Sequence, residues 1–486
     1  MRSNSLKSWL IAGALSGLAG GVVYGGALWR LRLLPEIAAL IGAHSTAAGF
    51  VIHMVLAAII GAALGALIWQ QRPGPSETLV WGLTYGALWW FIGPLTLQPI
   101  LTGQRLSWDL GAAQAAFPSL FGHLLYGGTA GLVLVLLRRD RLSRPSAGAL
   151  GRGAAGGLVA AWIAGSLLSA QHSLSMLSAQ AASASAPASW AAALLIGAGA
   201  GVCFALLYPR PRGSGGAFLV RGTIYGFLVW LIVPRTVLPL LGGAALPWSV
   251  ERTRAAFAPL IGVMLLGGFL ALGYHWLSAI GRVLFGDDSE DFGEQEDEEG
   301  AGTRGLRAIG GGIVAGIVGG LLFTIIMVQI GFLPTVARLI HAGSATTGFI
   351  VHLAISILIG AAYGLLFRRQ TYDPASALGW GVSYGFFWWL LGPLTLLPLL
   401  LGTAPSWTPE VAGGLMASLV GHIAYGAGLG IGFQRLEARY SPWWVPQEVT
   451  MATRAASQRE QTLSSAPALW ALTAVIALTL PVILGM

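Results

Sequence analysis

Four histidines lie inside apolar segments that contain almost no other ionisable side chains. His53 and His123 recur as His352 and His422 after the same shift of 299 positions. Imidazole titrates near neutral pH and is a common ligand of metals and of haem iron. Within a membrane it is costly unless it has a partner. These two pairs are the first candidates for chemistry in the chain.

The composition places these histidines in a lipid environment. The 486 residues are 55% hydrophobic and 9% charged, with a mean hydropathy of +0.72. Apolar stretches of roughly 20 residues, enough to cross a bilayer core about 30 Å thick, recur along the chain. The high glycine content suits close helix contact in membranes. The single cysteine, Cys203, excludes an internal disulfide, a CxxC site and an iron–sulfur cluster.

The net charge of +8 does not indicate a nucleic-acid partner. The basic residues are almost all arginines in short loops between apolar stretches, and Lys7 is the only lysine. This pattern is typical of membrane orientation and lacks the basic patch of nucleic-acid-binding modules.

Two long segments superimpose without a gap at the shift of 299 positions. Trp81 falls on Trp380, and the Gly-Pro-Leu-Thr run beginning at Gly93 recurs at Gly392. Chance does not maintain one offset over such a length, so the sequence predicts an internal repeat.

A more diverged middle copy appears at a shift of 140 positions. It retains Tyr225 and Trp248 but has Ala193 and Val263 where the outer copies have histidine. The two histidines are present together in the outer copies and absent together in the middle one. We therefore interpret them as a pair.

The predicted fold is an all-α polytopic integral membrane protein with three tandem parallel four-helix transmembrane repeats and one C-terminal transmembrane helix. The first copy contains four spans, at 8–29, 47–69, 78–100 and 114–137. The whole chain contains thirteen predicted spans. Because four is even, all copies enter the membrane in the same direction. We divide the chain into repeat 1 (1–140), a diverged repeat 2 (141–283), an acidic cytoplasmic linker (284–304), repeat 3 (305–440), a polar connector (441–466) and a C-terminal helix (467–486).

Charge predicts the orientation. Of the 27 Lys and Arg, six fall on the side opposite the N-terminus and Arg235 falls inside a span. The excess on the N-terminal side predicts a cytoplasmic N-terminus and an outside C-terminus in a bacterial-type inner membrane. At 1.5 Å per residue, the histidines then lie roughly 9–13 Å below the outer boundary.

Other residues suggest roles in packing. Small residues at every fourth position of the first helix, such as Gly13 and Gly17, predict close helix contacts. Arg235 is interpreted as snorkelling to the outer boundary, with an anion site as the alternative. Three equivalent tryptophans are interpreted as interfacial anchors, namely Trp108, Trp248 and Trp407.

The histidine pairs admit three interpretations. Each imidazole could bond a nearby side chain or backbone carbonyl and fix helix packing. The pairs, with Tyr126 and Tyr425, could instead form polar sites for a small solute or a proton relay. The third interpretation is bis-histidine haem b ligation, with room for a porphyrin beside Gly122 and Gly421. No metal site is predicted, because two imidazoles supply only half of a tetrahedral shell.

The residues do not indicate an enzyme. The spans contain essentially no carboxylates, which argues against a carboxylate-driven antiporter. No nucleotide-binding loop, Ser/His/Asp order or paired carboxylates occur. The leading expectation is non-enzymatic binding or passage of a small solute or protons, with no cofactor. The alternatives are a haem b electron-transfer protein and a structural subunit or scaffold of a larger membrane complex.

Two motifs carry a family resemblance. The second helix opens on Gly-Phe-Val-Ile-His-Met at 49–54, and the fourth contains Phe-Gly-His-Leu-Leu-Tyr at 121–126. With the aromatic third helix and its proline exit, each copy resembles the YagU-like inner-membrane family, a domain of unknown function with about four spans. The resemblance implies a membrane location and no particular reaction.

Overall fold

The computed structural model describes most of the chain. It covers residues 5–69, 75–138, 144–177, 185–209, 211, 213–285, 301–368, 370, 373–439 and nine positions between 468 and 484. Residues 286–300 of the predicted linker, the whole connector (441–466) and about half of the predicted C-terminal helix lie outside the described residues.

Twelve long helices occur in the described residues, and most of their bounds recur at the two sequence shifts to within about two residues. In repeat 1 they are α1 (Leu6–Leu31), α2 (Thr46–Ile68), α3 (Pro75–Ile92) and α4 (Phe117–Arg138). Repeat 2 contains α5 (Ala147–Ala170), α6 (Ala186–Leu207), α7 (Gly215–Ile232) and α8 (Phe257–Phe285). Repeat 3 contains α9 (Ala301–Gln329), α10 (Ala345–Phe367), α11 (Pro374–Leu391) and α12 (Met416–Arg439).

Shorter elements connect these helices. The third helix of each repeat continues through a π-helical turn, at Gly93–Leu97, Val233–Val237 and Gly392–Leu396, into one last helical turn, at Gln98–Leu101, Leu238–Leu241 and Leu397–Leu400. One-turn helices cover the loops at Leu34–Ala38, Leu110–Ala115, Val250–Ala255, Leu333–Ala337 and Pro409–Gly414. Short 3₁₀ turns lie at Ala39–Ile41, Leu174–Leu177 and Arg338–Ile340.

The protein is a multi-pass integral membrane protein in contact with the lipid bilayer. Among the described residues, eleven helices are long and apolar enough to cross a membrane, and no strand occurs. This confirms the predicted all-α polytopic class. Eleven of the twelve long helices are thus apolar enough to be spans. The exception is α3, which is less apolar because it begins Pro-Ser-Glu-Thr and contains three Trp and one Tyr. The C-terminal span is only partly described.

Glycine allows the helices of each repeat to pack backbone against backbone. A Cβ atom on Gly17 of α1 would lie 2.2 Å from the carbonyl oxygen of Ala57 in α2. A Cβ on Gly127 of α4 would lie 2.0 Å from the carbonyl oxygen of Gly82 in α3. Both pairs are antiparallel, and α1 also packs against α4. The predicted small-residue stripe of the first helix therefore faces α2.

Three equivalent positions, one from each repeat, meet the C-terminal residues 481–483. Gln114 and Arg254 donate hydrogen bonds to the carbonyls of Pro481 (3.1 Å) and Val482 (2.5 Å), and Gly413 lies against Ile483. Val482 is completely buried. These C-terminal residues therefore lie where the three repeats converge.

The predicted snorkelling of Arg235 is wrong. The side chain is only 6% exposed. Its guanidinium donates to the carbonyl of Pro247 and to the hydroxyl of Thr253, the latter at 3.3 Å. The arginine therefore ties the π-helical turn of α7 to the following loop of its own repeat, where backbone acceptors take the place of water.

The interfacial role predicted for the three tryptophans holds for one of them at most. Trp108 is 74% exposed, whereas Trp248 and Trp407 are at most 1% exposed and pack between repeats. A loop tryptophan has the same sequence signature whether its ring contacts lipid or a neighbouring helix bundle. The three tryptophans therefore share equivalent sequence positions, but their rings lie in different surroundings.

Replacement of Gly17 by alanine should destabilise the helix pair, since the methyl group would overlap the Ala57 carbonyl. We expect Gly17→Ala to lower the free energy of unfolding by roughly 1–3 kcal/mol, measured by thermal unfolding in detergent. Gly26→Ala, on the same helix with nothing within 4 Å of the added Cβ, is the matched control. Equal stability of the two variants would contradict the tight α1–α2 contact.

Candidate functional site

One aromatic ring of α1 contacts both histidines of repeat 1. Tyr24 meets His53 of α2 edge-on, with ring centroids 5.2 Å apart and an interplanar angle of 89°. It meets His123 of α4 at 4.9 Å and 60°. The predicted pair thus lies in one place, but a third ring that the sequence analysis did not identify joins its members.

Repeat 3 has the same arrangement with phenylalanine in place of tyrosine. Phe323 lies 5.1 Å from His352 and 4.6 Å from His422, at angles of 88° and 61°. Because phenylalanine has no hydroxyl, the feature common to both repeats is the aromatic ring. A proton relay through the Tyr24 hydroxyl cannot be common to both repeats.

Each imidazole has one nitrogen bonded to a backbone carbonyl. Nε2 of His53 donates to Gly21 at 3.0 Å, and Nδ1 of His123 donates to Ser119 at 2.8 Å. In repeat 3 the corresponding distances are 3.1 Å for His352 and 2.8 Å for His422. A carbonyl only accepts, so these nitrogens carry the protons of the neutral rings. The remaining nitrogens, Nδ1 of the first histidine and Nε2 of the second, are acceptors.

The acceptor nitrogen of the second histidine faces the π-helical turn of the third helix. A Cβ built on Gly93 would lie 3.8 Å from Nε2 of His123, and one on Gly392 would lie 3.8 Å from Nε2 of His422. Apart from the backbone of the glycine's own helix, no other described atom lies within 4 Å of either Cβ position. In repeat 2 this position is Val233, whose side chain takes up such space.

The π-helical turn itself is held by a threonine. Pro94 lies in the turn that follows α3 and has no backbone N–H to donate. The absence of this N–H leaves a carbonyl of α3 without its usual hydrogen-bond donor. The Thr96 hydroxyl donates to the carbonyl of Phe91 at 2.7 Å, and Thr236 and Thr395 make the same bond in the other repeats. The glycine that faces the histidine is therefore held in a defined position.

Tyr126 and Tyr425, the other predicted site residues, hold helices together. The Tyr126 hydroxyl donates to Ala57 at 2.7 Å, and the Tyr425 hydroxyl to Ser356 at 2.8 Å. Each acceptor lies one turn along the second helix from the first histidine. The structure therefore places these tyrosines beside the histidine cluster, in a bond between the fourth and second helices.

Four contacting positions differ together in the middle repeat. The set Tyr24, His53, Gly93 and His123 corresponds there to Ala164, Ala193, Val233 and Val263. Of these four positions, only the two histidines were predicted as a site from the sequence. The same internal comparison, extended to every position, could have identified Tyr24 and Gly93 as members of the cluster.

The geometry does not fit haem ligation by these pairs. Nε2 of His53 is already bonded to the Gly21 carbonyl. The space predicted for a porphyrin beside Gly122 is filled by the Tyr24 ring, whose nearest atom lies 1.9 Å from the position of an added Cβ. Phe323 fills the space beside Gly421 in the same way, at 2.0 Å. Among the described residues, no group of three or more potential metal ligands occurs.

Comparison with known proteins adds no assignment. The chain matches no protein-family model, no curated protein and no solved structure. The resemblance to the YagU-like family stays a prediction.

The contact between Tyr24 and Gly122 can be tested by a double-mutant cycle. Gly122→Ala should destabilise the protein because its methyl group would overlap the tyrosine ring. Tyr24→Ala, the residue of repeat 2, removes that ring, so the double variant should be more stable than the sum of the single effects by roughly 0.5–3 kcal/mol. Thermal unfolding in detergent measures all four proteins. Strictly additive effects would contradict the contact.

Proposed function

We propose that the protein is a non-enzymatic membrane protein that binds or passes a small hydrogen-bond donor, or a proton, at His123 and His422. The observation that supports this most strongly is the acceptor Nε2 of each ring, which faces a glycine in the π-helical turn of the third helix. The outer repeats share this arrangement, and the middle repeat lacks it.

The chemistry of the acceptor defines the class of solute. A neutral imidazole whose Nδ1 is bonded to a carbonyl presents a lone pair at Nε2. Hydronium, ammonium, small amines, alcohols and water can donate to this nitrogen. An anion would meet a negative atom and no compensating cation in the cluster. The space of about one methyl group beside Gly93 limits the contacting part of the solute to a small group.

We place the sites within the repeats rather than between them. The convergence of the three repeats is occupied by the buried C-terminal residues 481–483. A passage along the common axis would require these residues to move. The histidine clusters lie among the helices of single repeats, and they occur twice in the chain.

The proposal includes an orientation. The excess of Lys and Arg on the N-terminal side supports a cytoplasmic N-terminus in a bacterial-type inner membrane. The C-terminus then lies outside, and the histidines lie in the outer half of the bilayer. A relation to the YagU-like family would agree with this location.

A structural scaffold is the second candidate, and a specific observation favours it. Each of the four histidines donates to a backbone carbonyl, and those of His53 and His352 belong to another helix. Such bonds alone stabilise helix packing in lipid, where a polar group without a partner is costly. In this case the outer repeats would differ from the middle one in stability alone.

Flux measurements in proteoliposomes distinguish these candidates. Vesicles with an entrapped pH-sensitive dye report proton movement after a pH jump, and methylammonium uptake reports a small amine. We expect the purified protein to accelerate one of these fluxes over empty vesicles. Gly93→Val/Gly392→Val, which introduces the residue of repeat 2, should reduce it to background. Gly26→Val, on the exposed face of α1, is the matched control.

A folded wild-type protein that accelerates neither flux would favour the scaffold. Equal flux in wild type and the double valine variant would contradict the role of the glycine-facing nitrogen. A Soret band in protein purified after expression with adequate haem would contradict both candidates and support haem binding.

A further inference from the structure

The loop tryptophans of the three repeats are held in the same way by their own third helices. The indole N–H of Trp248 donates to the Arg235 carbonyl at 3.0 Å, and that of Trp407 donates to the Leu394 carbonyl at 3.1 Å. The indole of Trp108 donates to the Thr96 hydroxyl at 3.3 Å. Each repeat therefore presents one anchored indole ring at the same place.

Two of these rings dock on the preceding repeat. Trp248 of repeat 2 stacks on Phe121 of α4, with centroids 5.5 Å apart and planes at 17°. Trp407 of repeat 3 packs beside Gly262 of α8, 3.1 Å from the position of an added Cβ. Its backbone N–H also donates to Gln171 of repeat 2 at 2.9 Å. One type of joint, a loop tryptophan against a preceding fourth helix, thus occurs twice.

The two halves of a third joint are left exposed at the ends of the series. Trp108 of repeat 1 is 74% exposed. Val420 of α12, which corresponds to the fully buried Phe121, is 54% exposed. One end presents the tryptophan half of the joint, and the other presents the helix half.

We propose that Trp108 of one molecule docks on the exposed face of α12 at Val420 of a second copy of this chain. We infer a second copy of the chain because the two exposed surfaces are the same two surfaces that contact each other in both joints within the chain. Such an association is heterologous, so copies join head to tail and either close into a ring or extend as a chain. In lipid, close packing rather than hydrophobic burial drives the contact.

The proposed joint is weaker than the two within the chain. The joint between repeats 2 and 3 includes an ion pair from Arg254 to Glu410 at 2.5 Å, and that between repeats 1 and 2 an ion pair from Arg221 to Glu77 at 3.1 Å. The positions that correspond to Arg254, Glu410 and Gln171 at the free ends are Gly413, Gly111 and Ile330. We therefore expect reversible association that depends on the density of the protein in the membrane.

Cysteine cross-linking between differently tagged chains tests the proposal. In a Cys203→Ser background, one chain carries Leu106→Cys, two residues from Trp108, and the other carries Ala424→Cys, one helical turn from Val420, so that both docking residues stay in place. A short bifunctional thiol reagent applied to membranes should yield a dimer with both tags. Leu125→Cys/Leu246→Cys within one chain, at the equivalent positions of the joint between repeats 1 and 2, is the matched control, since its cross-link should form without any dimer.

Two results would overturn the proposal. If the control pair reacts and no mixed dimer forms, Trp108 is an interfacial anchor in lipid. If a chain with both Leu106→Cys and Ala424→Cys cross-links only within itself, the three repeats close on themselves.

A second measurement does not depend on cysteine chemistry. Single-molecule photobleaching of labelled protein in vesicles counts the chains per complex. Trp108→Ala should lower the fraction of multi-chain complexes several-fold. Trp29→Ala, which removes a 65% exposed tryptophan of α1 outside the joint, should leave it unchanged. An equal fraction in wild type and Trp108→Ala would contradict the docking.

Discussion

The close approach of helix backbones at glycine is the constraint on which the rest of the structure depends. Where glycines face a neighbouring helix, carbonyl oxygens come within reach of side chains from that neighbour. His53 bonds Gly21, Tyr126 bonds Ala57, and Tyr85 bonds Ile60 at 2.8 Å, each from one helix to another. The same proximity leaves no room for a β-carbon at these crossings. Glycine spacing and polar bonds are therefore two aspects of one packing arrangement.

This constraint explains why the middle repeat differs at several positions together. Loss of an imidazole opens space, and loss of the contacting ring or addition of a valine alters the shape of that space. In repeat 2, alanines replace the aromatic ring and the first histidine, and valines replace the glycine and the second histidine of the outer repeats. It keeps the Tyr225 bond to Ala200 at 2.8 Å, which joins its third and second helices. The helix framework is thus separable from the histidine cluster.

The sequence predicted what depends on position along the chain. The all-α class, the bounds of the long helices and the proximity of His53 to His123 follow from hydropathy and from comparison of the copies. The side of a helix on which a ring lies, and what covers it, did not follow. Tyr24, Trp248 and Arg235 illustrate this, since lipid, a neighbouring repeat and a loop carbonyl are equivalent surroundings at the level of hydropathy. The haem interpretation failed to fit for the same reason, because the space beside Gly122 depends on the direction of a side chain from another helix.

Joints between repeats of one chain differ from the proposed joint between two chains. A joint between repeats of one chain forms at the high effective concentration that covalent linkage provides. It needs little intrinsic affinity, yet the two internal joints carry the ion pairs. A joint between separate chains has no such linkage. The positions that correspond there to Arg254, Glu410 and Gln171 are glycines and an isoleucine, and those that correspond to Arg221 and Glu77 are Trp81 and Ser376. The contact between Trp108 and the exposed face of α12 therefore forms without either ion pair and depends on packing. Its occupancy is then set by protein density in the membrane, whereas the order of the repeats within a chain is fixed.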